Sequence, residues 1–468
     1  MFQSSLADTP QIGFSPDGLA AVRRSQITYL YLLVGLLATV SAIPITALAT
    51  ILFAMVLVDF MLAIDESPPV RELAGLISTL QYVFGPMLLY TFFNDHYRYR
   101  MYVPPDTYFA FAVPATCLFL VALRVRLPFG TTTMQLPVAN KESLGLGLIL
   151  VGVGIASGVL VRFGPGSLAF AFYLLANLRY VGAIYVYMSE NQFRWPIIAL
   201  VVSGIFLTSA KQGMFHELLL WGSLGGCYWF TGKQRSLSAK VTFIAAGIAA
   251  VMVIQIVKPI YRQQMGVRDD VSFVGTARDV VVSDLFLSEK SLENVVTRIS
   301  QGWIISAAMK TVPKHREFAN GKTIEDALVA AFVPRILVAD KKGANVRANL
   351  NRYTFLKVGK RTQMGLGPLG ECWVNFGYFG GILGLAVFGL LLNSVFHIIG
   401  KLSWRNEYFF YCLPIIFLQV IKAETEFQTI FNHLTKSSLV VFASYQGFRI
   451  AGLIAARRVS ERATGGSF

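Results

Sequence analysis

The side chains able to do chemistry are mostly cationic, and they gather in one stretch. Between Lys258 and Gly370 the chain supplies Arg298, Pro334-Arg335, Asp340-Lys341-Lys342, Arg347, Arg352 and Lys360-Arg361, with 18 Lys and Arg in all against 10 Asp and Glu. A surface of that sign attracts anions. An anionic ligand is one partner for it, and the anionic head groups of a membrane are another. Outside the stretch, single polar residues interrupt apolar runs. Arg179 stands near the middle of one, Lys211 at the end of the next, and His216-Glu217 shortly after it, where each requires a partner or a water-filled cavity. An Arg179–Glu217 ion pair is the purely structural solution. Glu371 and Asn375, four residues apart on one helical face, follow directly on Gly365-Leu-Gly-Pro-Leu-Gly370. Glu371 is a candidate base for a hydroxyl group, or else a cap favoured by the dipole of the helix it opens.

The elements that position these residues are membrane spans. Of the 468 residues, 54% are hydrophobic and only 14% charged, and mean hydropathy is +0.56, whereas about a quarter of a soluble domain is charged. The expected fold is therefore all-α and polytopic, in a lipid bilayer. The net charge of +15 does not call for a nucleic acid, because Lys and Arg collect at one end of the spans in any such protein. Apolar runs close to the ~20 residues of a span recur about twelve times. Residues 1–257 hold about nine of them, 258–371 form one large loop with short helices, and 372–468 hold about three, the last expected over Leu439 to Ala456. Inside the loop, Val296, Ile299, Trp303 and Ala307 predict a helix over Glu293 to Val312, and Thr323-Ile-Glu-Asp326 reads as a capping start before Ala327.

Cofactor chemistry finds no support. Cys117, Cys227 and Cys412 lie in apolar runs and Cys372 at the edge of one, without a CxxC pair. Gly321-Lys-Thr323 is not a phosphate loop, because position 316 is Arg where that motif requires Gly. Neither inverted repeats nor paired broken helices, the marks of a transporter, are visible.

Alternating the connections between two sides places fifteen Lys and Arg on one side, among them Arg71, Arg124, Lys233, Arg235 and Lys401. Only six fall in the short connections opposite. The positive-inside rule then puts both termini in the cytoplasm and the large loop outside, which in a bacterial inner membrane is the periplasm.

Gly321-Lys-Thr323, Phe332-Val-Pro-Arg-Ile336, Asp340-Lys341 and Gly365-Leu-Gly-Pro-Leu-Gly-Glu-Cys-Trp-Val-Asn-Phe-Gly-Tyr-Phe-Gly380 together resemble bacterial oligosaccharide repeat-unit polymerases of the Wzy or O-antigen polymerase type. Thr208-Ser-Ala-Lys-Gln-Gly213 resembles the family's Ser-Arg-Gly signature, with Lys211 in place of Arg and Gln212 inserted. The likeness spans about Leu200 to Leu391. It implies a membrane-embedded glycosyltransferase of the GT-C type that joins polyprenyl-diphosphate-linked repeats at the periplasmic face, for O-antigen, capsule or exopolysaccharide. Donor and acceptor are both lipid-linked oligosaccharides, and a chain-length regulator is a further partner. For a diphosphate leaving group, Arg335 and Arg298 come first and Lys211 and Lys341 next, since a guanidinium binds phosphate oxygens two at a time. Arg179 and Asn375 are additional substrate contacts, and Glu371 the candidate base. A glycan ligase of the same topology is the nearest alternative, and a flippase a more distant one.

The charge asymmetry makes a direct prediction. A reporter that works only outside the cytoplasm is expected to be active when fused at Asn320 and silent at Gln234 and at the C-terminus. A cytoplasmic signal at Asn320 would overturn the assignment.

Overall fold

The computed structural model describes residues 16–40, 43–96, 99–128, 134, 143–165, 168–267, 271–284, 286, 288–333, 346–358 and 364–454. Arg335 and Lys341 lie outside the described residues. Among those described there is helix and no strand. Before the large loop come α1 (Pro16–Val40), α2 (Ile45–Ala63), α3 (Val70–Thr79), a π-helical segment (Leu80–Phe84), α4 (Gly85–Phe92), α5 (Pro105–Ala122), α6 (Ser143–Phe163), α7 (Ala169–Ala176), α8 (Leu178–Met188), α9 (Arg194–Gln212), α10 (His216–Phe230) and α11 (Leu237–Met265). The loop carries α12 (Phe273–Val282), α13 (Glu289–Ile299), α14 (Gly302–Thr311), α15 (Lys322–Phe332) and α16 (Val346–Tyr353). After it follow α17 (Gly367–Arg405), α18 (Tyr408–Tyr411), α19 (Leu413–Phe417) and α20 (Phe427–Ile450).

Eight stretches among the described residues are long and apolar enough to cross a membrane: α2, α3 through α4, α5, α6, α7 with α8, α9, α11 and α17. This is a multi-pass membrane protein. Helix α5 is the innermost, with 67% of its apolar window buried against 11% for α11 and 17% for α9, which leaves the last two to face lipid. Contacts between connections sort them into two ends. At one end Gly232 donates its N–H to Asp65 O (2.9 Å), and Lys240 pairs with Asp65. At the other, Tyr102 N–H reaches Ser306 Oγ (3.1 Å) and Arg262 Nε–H reaches Gly213 O (2.9 Å). The large loop covers this second end.

Near the first end, a buried charge network joins five helices. Arg124 pairs with Asp59, which also accepts from Tyr31 Oη, while Arg71 donates to Asn393 Oδ1 (3.1 Å). Asn393 in turn donates to Ala122 O and Val125 O. With Arg124 and Asp59 side chains 4% and 6% exposed, neither charge reaches water, so each depends on the other.

Several elements depart from the sequence expectations. The stripe Val296, Trp303, Ala307 is buried, but it belongs to two helices, because Gln301 turns its N–H to Gln81 O (2.9 Å) at the break between α13 and α14. Gly321 with φ 84°, not Thr323, caps α15. Helix α20 begins at Phe427 rather than Leu439: its polar first turns, with Gln428, Asn432 and His433, pack inside the protein and so lack the apolar signature of a span. Helix α11 runs on past Val257 to Met265, so Lys258 lies within it. Broken spans are present after all. Asn177 interrupts the Ala169–Met188 span, a π-turn interrupts Val70–Phe92, and Gly377 at φ 66°, ψ −150° kinks α17.

Removing one partner of a buried ion pair strands the other. Arg124→Met is expected to cost about 3–5 kcal/mol of stability. The double variant Asp59→Leu/Arg124→Met should recover most of it, as read by thermal unfolding in detergent. A single variant as stable as the wild type would remove the pair from the framework.

Candidate functional site

The site grows from the π-segment. A π-turn displaces the helical ladder and frees backbone groups for other partners, and here two of its carbonyls are taken up by other segments. Gln81 O accepts Gln301 N–H, and Tyr82 O accepts the Tyr108 hydroxyl at 2.9 Å. The side chains reach the opposite way, Gln81 Nε2 to Glu424 Oε2 (2.9 Å) and Tyr82 Oη to Ala423 O (2.7 Å). Gly85 next to the segment lets the loop approach: a Cβ there would lie 3.0 Å from Ile299 O and 3.1 Å from Ser300 Cα. Loop, central span and the turn before α20 therefore meet at one point.

A band of cations surrounds that point. Arg298, in the last turn of α13, and Arg262 both lie within electrostatic range of Lys258. His216, opening α10, stands in the field of Lys422, Lys258, Glu217 and Glu424. Burial lowers the pKa of Lys422, while Glu424 and Glu217 act in the opposite direction. Beside His216 a cavity of about 100 Å³ opens between α8, α9 and α10, lined by Arg179, Thr208, Ser209, Gln212, His216 and Glu217. Arg179 donates to Tyr180 Oη (2.7 Å) and its Nε is buried without a partner. Glu217 accepts the Tyr173 hydroxyl (2.9 Å). No Arg179–Glu217 ion pair forms, since each is held by a tyrosine instead. His216 thus links the cavity, with Arg179 and Glu217, to Lys258, Lys422 and Glu424, and Lys258 in turn stands in the field of Arg262 and Arg298, so that cations outnumber carboxylates along this chain of neighbours. The excess suits a multiply charged anion, with forked donors for phosphate oxygens.

Glu371 and Asn375 belong to a different, buried centre. Glu371, 1% exposed, accepts the Thr323 hydroxyl on Oε2 and Phe427 N–H on Oε1, both at 2.9 Å. Its helix starts at Gly367, so Glu371 does not cap α17. It caps α20, where a carboxylate is favoured by the dipole of that second helix. Asn375 Nδ2 donates to Thr323 Oγ1 (2.7 Å) and Glu371 O (2.8 Å). Glu426, 2% exposed, accepts Leu366 N–H, and burial first, then the Glu371 charge, raises its pKa. With both oxygens of Glu371 occupied and no surface open to it, this carboxylate positions helices.

Of the residues singled out from sequence, the fold brings Arg179, Arg298 and the Thr208–Gly213 stretch to one region. Lys211 itself points to the exposed side of α9, away from the cavity its neighbours line. Lys258, Arg262, Lys422, Glu424 and Gln81 were not singled out. Lys422-Ala-Glu-Thr-Glu426, a charged run between apolar stretches, was the available signal. No family of known proteins, no curated protein and no solved structure matches the chain.

The raised pKa of Glu426 has a pH consequence. In the unfolded chain the group ionises near its ordinary ~4.3, whereas in the fold it keeps its proton higher. The unfolded state then binds fewer protons, and stability falls as pH rises above about 4.3. Glu426→Gln, which mimics the protonated form, is expected to flatten the decline of melting temperature between about pH 5 and pH 8. An unchanged slope would show that Glu426 ionises normally in the fold.

Proposed function

We propose that the chain is a membrane-embedded glycosyltransferase of the bacterial inner membrane, polymerising polyprenyl-diphosphate-linked oligosaccharide repeats on the periplasmic side. In this reading it has about twelve spans, both termini in the cytoplasm and a GT-C-like architecture. The observation that carries the proposal is the excess of cations linked through His216 and Lys258: Arg179 lines the cavity beside His216, Lys258 and Lys422 act on His216, and Arg262 and Arg298 act on Lys258. A lipid-linked diphosphate brings its negative charge to that boundary, with its tail in lipid beside the exposed faces of α9 and α11.

In the transfer, the bond between sugar C1 and the diphosphate oxygen breaks, and the electron pair leaves with the polyprenyl diphosphate. An acceptor hydroxyl oxygen bonds to C1 and gives up its proton. Cations serve the leaving group, each preorganised donor being worth ~3 kcal/mol when it acts mainly in the transition state. Arg298 and Arg335 are assigned this role, with Arg179, Lys258 and Lys422 binding the donor and Lys341 and Lys211 adding long-range attraction. Glu217, the carboxylate lining the cavity, takes the acceptor proton. Glu371 and Asn375 are positioning residues that tie α15, α17 and α20 together behind the cations.

A ligase uses the same donor and differs in its acceptor alone. The interrupted spans at Asn177 and Gly377 favour a second reading, translocation of the same lipid-linked glycan, because broken helices place backbone groups at mid-membrane in transporters.

Purified protein in lipid nanodiscs with lipid-linked repeats separates these readings. A ladder of joined repeats supports the polymerase, and translocation in vesicles without a ladder supports the transporter. Arg298→Ala is expected to slow ladder formation about 100-fold. Arg335→Ala should abolish the polymer, with partial rescue by Arg335→Lys, whose point charge lacks the fork. Normal ladders from both alanine variants would remove the arginines from the leaving-group role.

A further inference from the structure

A second open space lies beside the loop, apart from the cavity at His216. A groove of about 620 Å³ runs between the end of α11 and α12, within the size range of small-ligand sites. Its polar lining is Gln263, Gln264, Ser272, Thr276 and Asp279, with Val267 among its apolar walls. Among the described residues its lining holds one carboxylate, and its other polar groups are neutral amides and hydroxyls. Neutral amides and hydroxyls both give and accept hydrogen bonds, which matches a ligand whose every hydroxyl does the same. A carboxylate accepts from adjacent hydroxyls.

The groove is built in advance. Its two walls are clamped by Phe273 of α12, whose ring lies 4.2 Å from Phe215 and 5.3 Å from Tyr261. Within it, Thr276 donates to Gln264 Oε1 (2.8 Å), which turns the Gln264 amide nitrogen away from Thr276. Helix geometry separates the groove from the cations. At about 100° per residue, Lys258 and Arg262 share one face of α11, and Ile260, Gln263 and Gln264 lie on the opposite face.

We infer that this groove is a secondary saccharide site that holds the growing glycan away from the transfer centre. The inference rests on the glycosyltransferase reading for the identity of its ligand, and it adds the place where a neutral oligosaccharide is gripped. Such a grip retains the product between successive additions, so it sets polymer length rather than the rate of a single joining step.

Gly275 supplies the test. A Cβ there would meet only Ser272 Cβ, at 3.7 Å, so a larger side chain enters the groove, and a helical Gly→Leu change favours the helix. The probe is the repeat-unit oligosaccharide released from its lipid diphosphate by mild acid, titrated into the full chain in nanodiscs. Wild type is expected to bind it, Gly275→Leu to bind at least about tenfold more weakly, and Asp279→Ala several-fold more weakly. With lipid-linked repeats, Gly275→Leu should give shorter polymer at an unchanged rate of the first joining. Equal binding by wild type and Gly275→Leu, or no binding by wild type at millimolar oligosaccharide, overturns the site. Oligosaccharide binding that Gly275→Leu blocks, in a wild-type protein that joins no repeats, upholds the groove and overturns the glycosyltransferase reading instead.

Discussion

In a bilayer a backbone group without a partner costs several kcal/mol, and the π-turn at Leu80–Phe84 turns that constraint into architecture. Two of its carbonyls are satisfied by other segments, Gln301 from the loop and Tyr108 from α5, while the Gln81 and Tyr82 side chains reach a third, the turn before α20. The π-turn is thus the fixed point about which the loop is seated. It also fixes Arg298, two residues before Ser300, in the field of Lys258.

Two polar centres are joined by the single run Lys422–Glu426. Lys422 and Glu424 belong to the cationic band, and Glu426 to the buried carboxylate centre with Glu371. Positive charge accumulates around His216 and the cavity, where Glu217 and Glu424 offset part of it. The carboxylates of the second centre are kept in the interior, where Glu371 is neutralised by amide and hydroxyl donors rather than by arginine. An arginine there would be withdrawn from the band. The two centres therefore do different things with the same short stretch of chain, one gathering an anion and the other fixing the helix ends that hold the gatherers.

Class and span order were legible because apolar length is a one-dimensional property. Helices α2, α6 and α9 lie close to where their hydrophobic runs predict them. What escaped was anything decided by a partner distant in sequence. Glu371 next to a glycine-rich turn reads as a cap of its own helix, and only the fold shows that the N–H it accepts is Phe427. The start of α20 hides behind Gln428, Asn432 and His433, polar residues that signal solvent in a sequence and interior packing here. Thr323 looks like a cap because threonine often is one, yet its hydroxyl is given to Glu371. Arg179 and Glu217 invite an ion pair because opposite charges in lipid seek each other, and nearby tyrosines met both needs first. Asn177 and Gly377 break their helices although neither sits in a run that predicts a stop.

The kink at Gly377 has a consequence for how the molecule comes to be assembled. The Phe318 ring occupies the space a side chain at that position would fill, and Ala319 N–H takes Val374 O at 2.9 Å, a carbonyl just before the kink. The bend in α17 is therefore stitched to a loop that is synthesised before it. In the nascent chain the loop is made before α17, so the kink at Gly377 settles against a segment already synthesised, and α20, made later still, docks onto the carboxylate that α17 presents. The last helices to be made thus act as the clasp, since the contacts that hold the loop against the bundle are complete only when they are present.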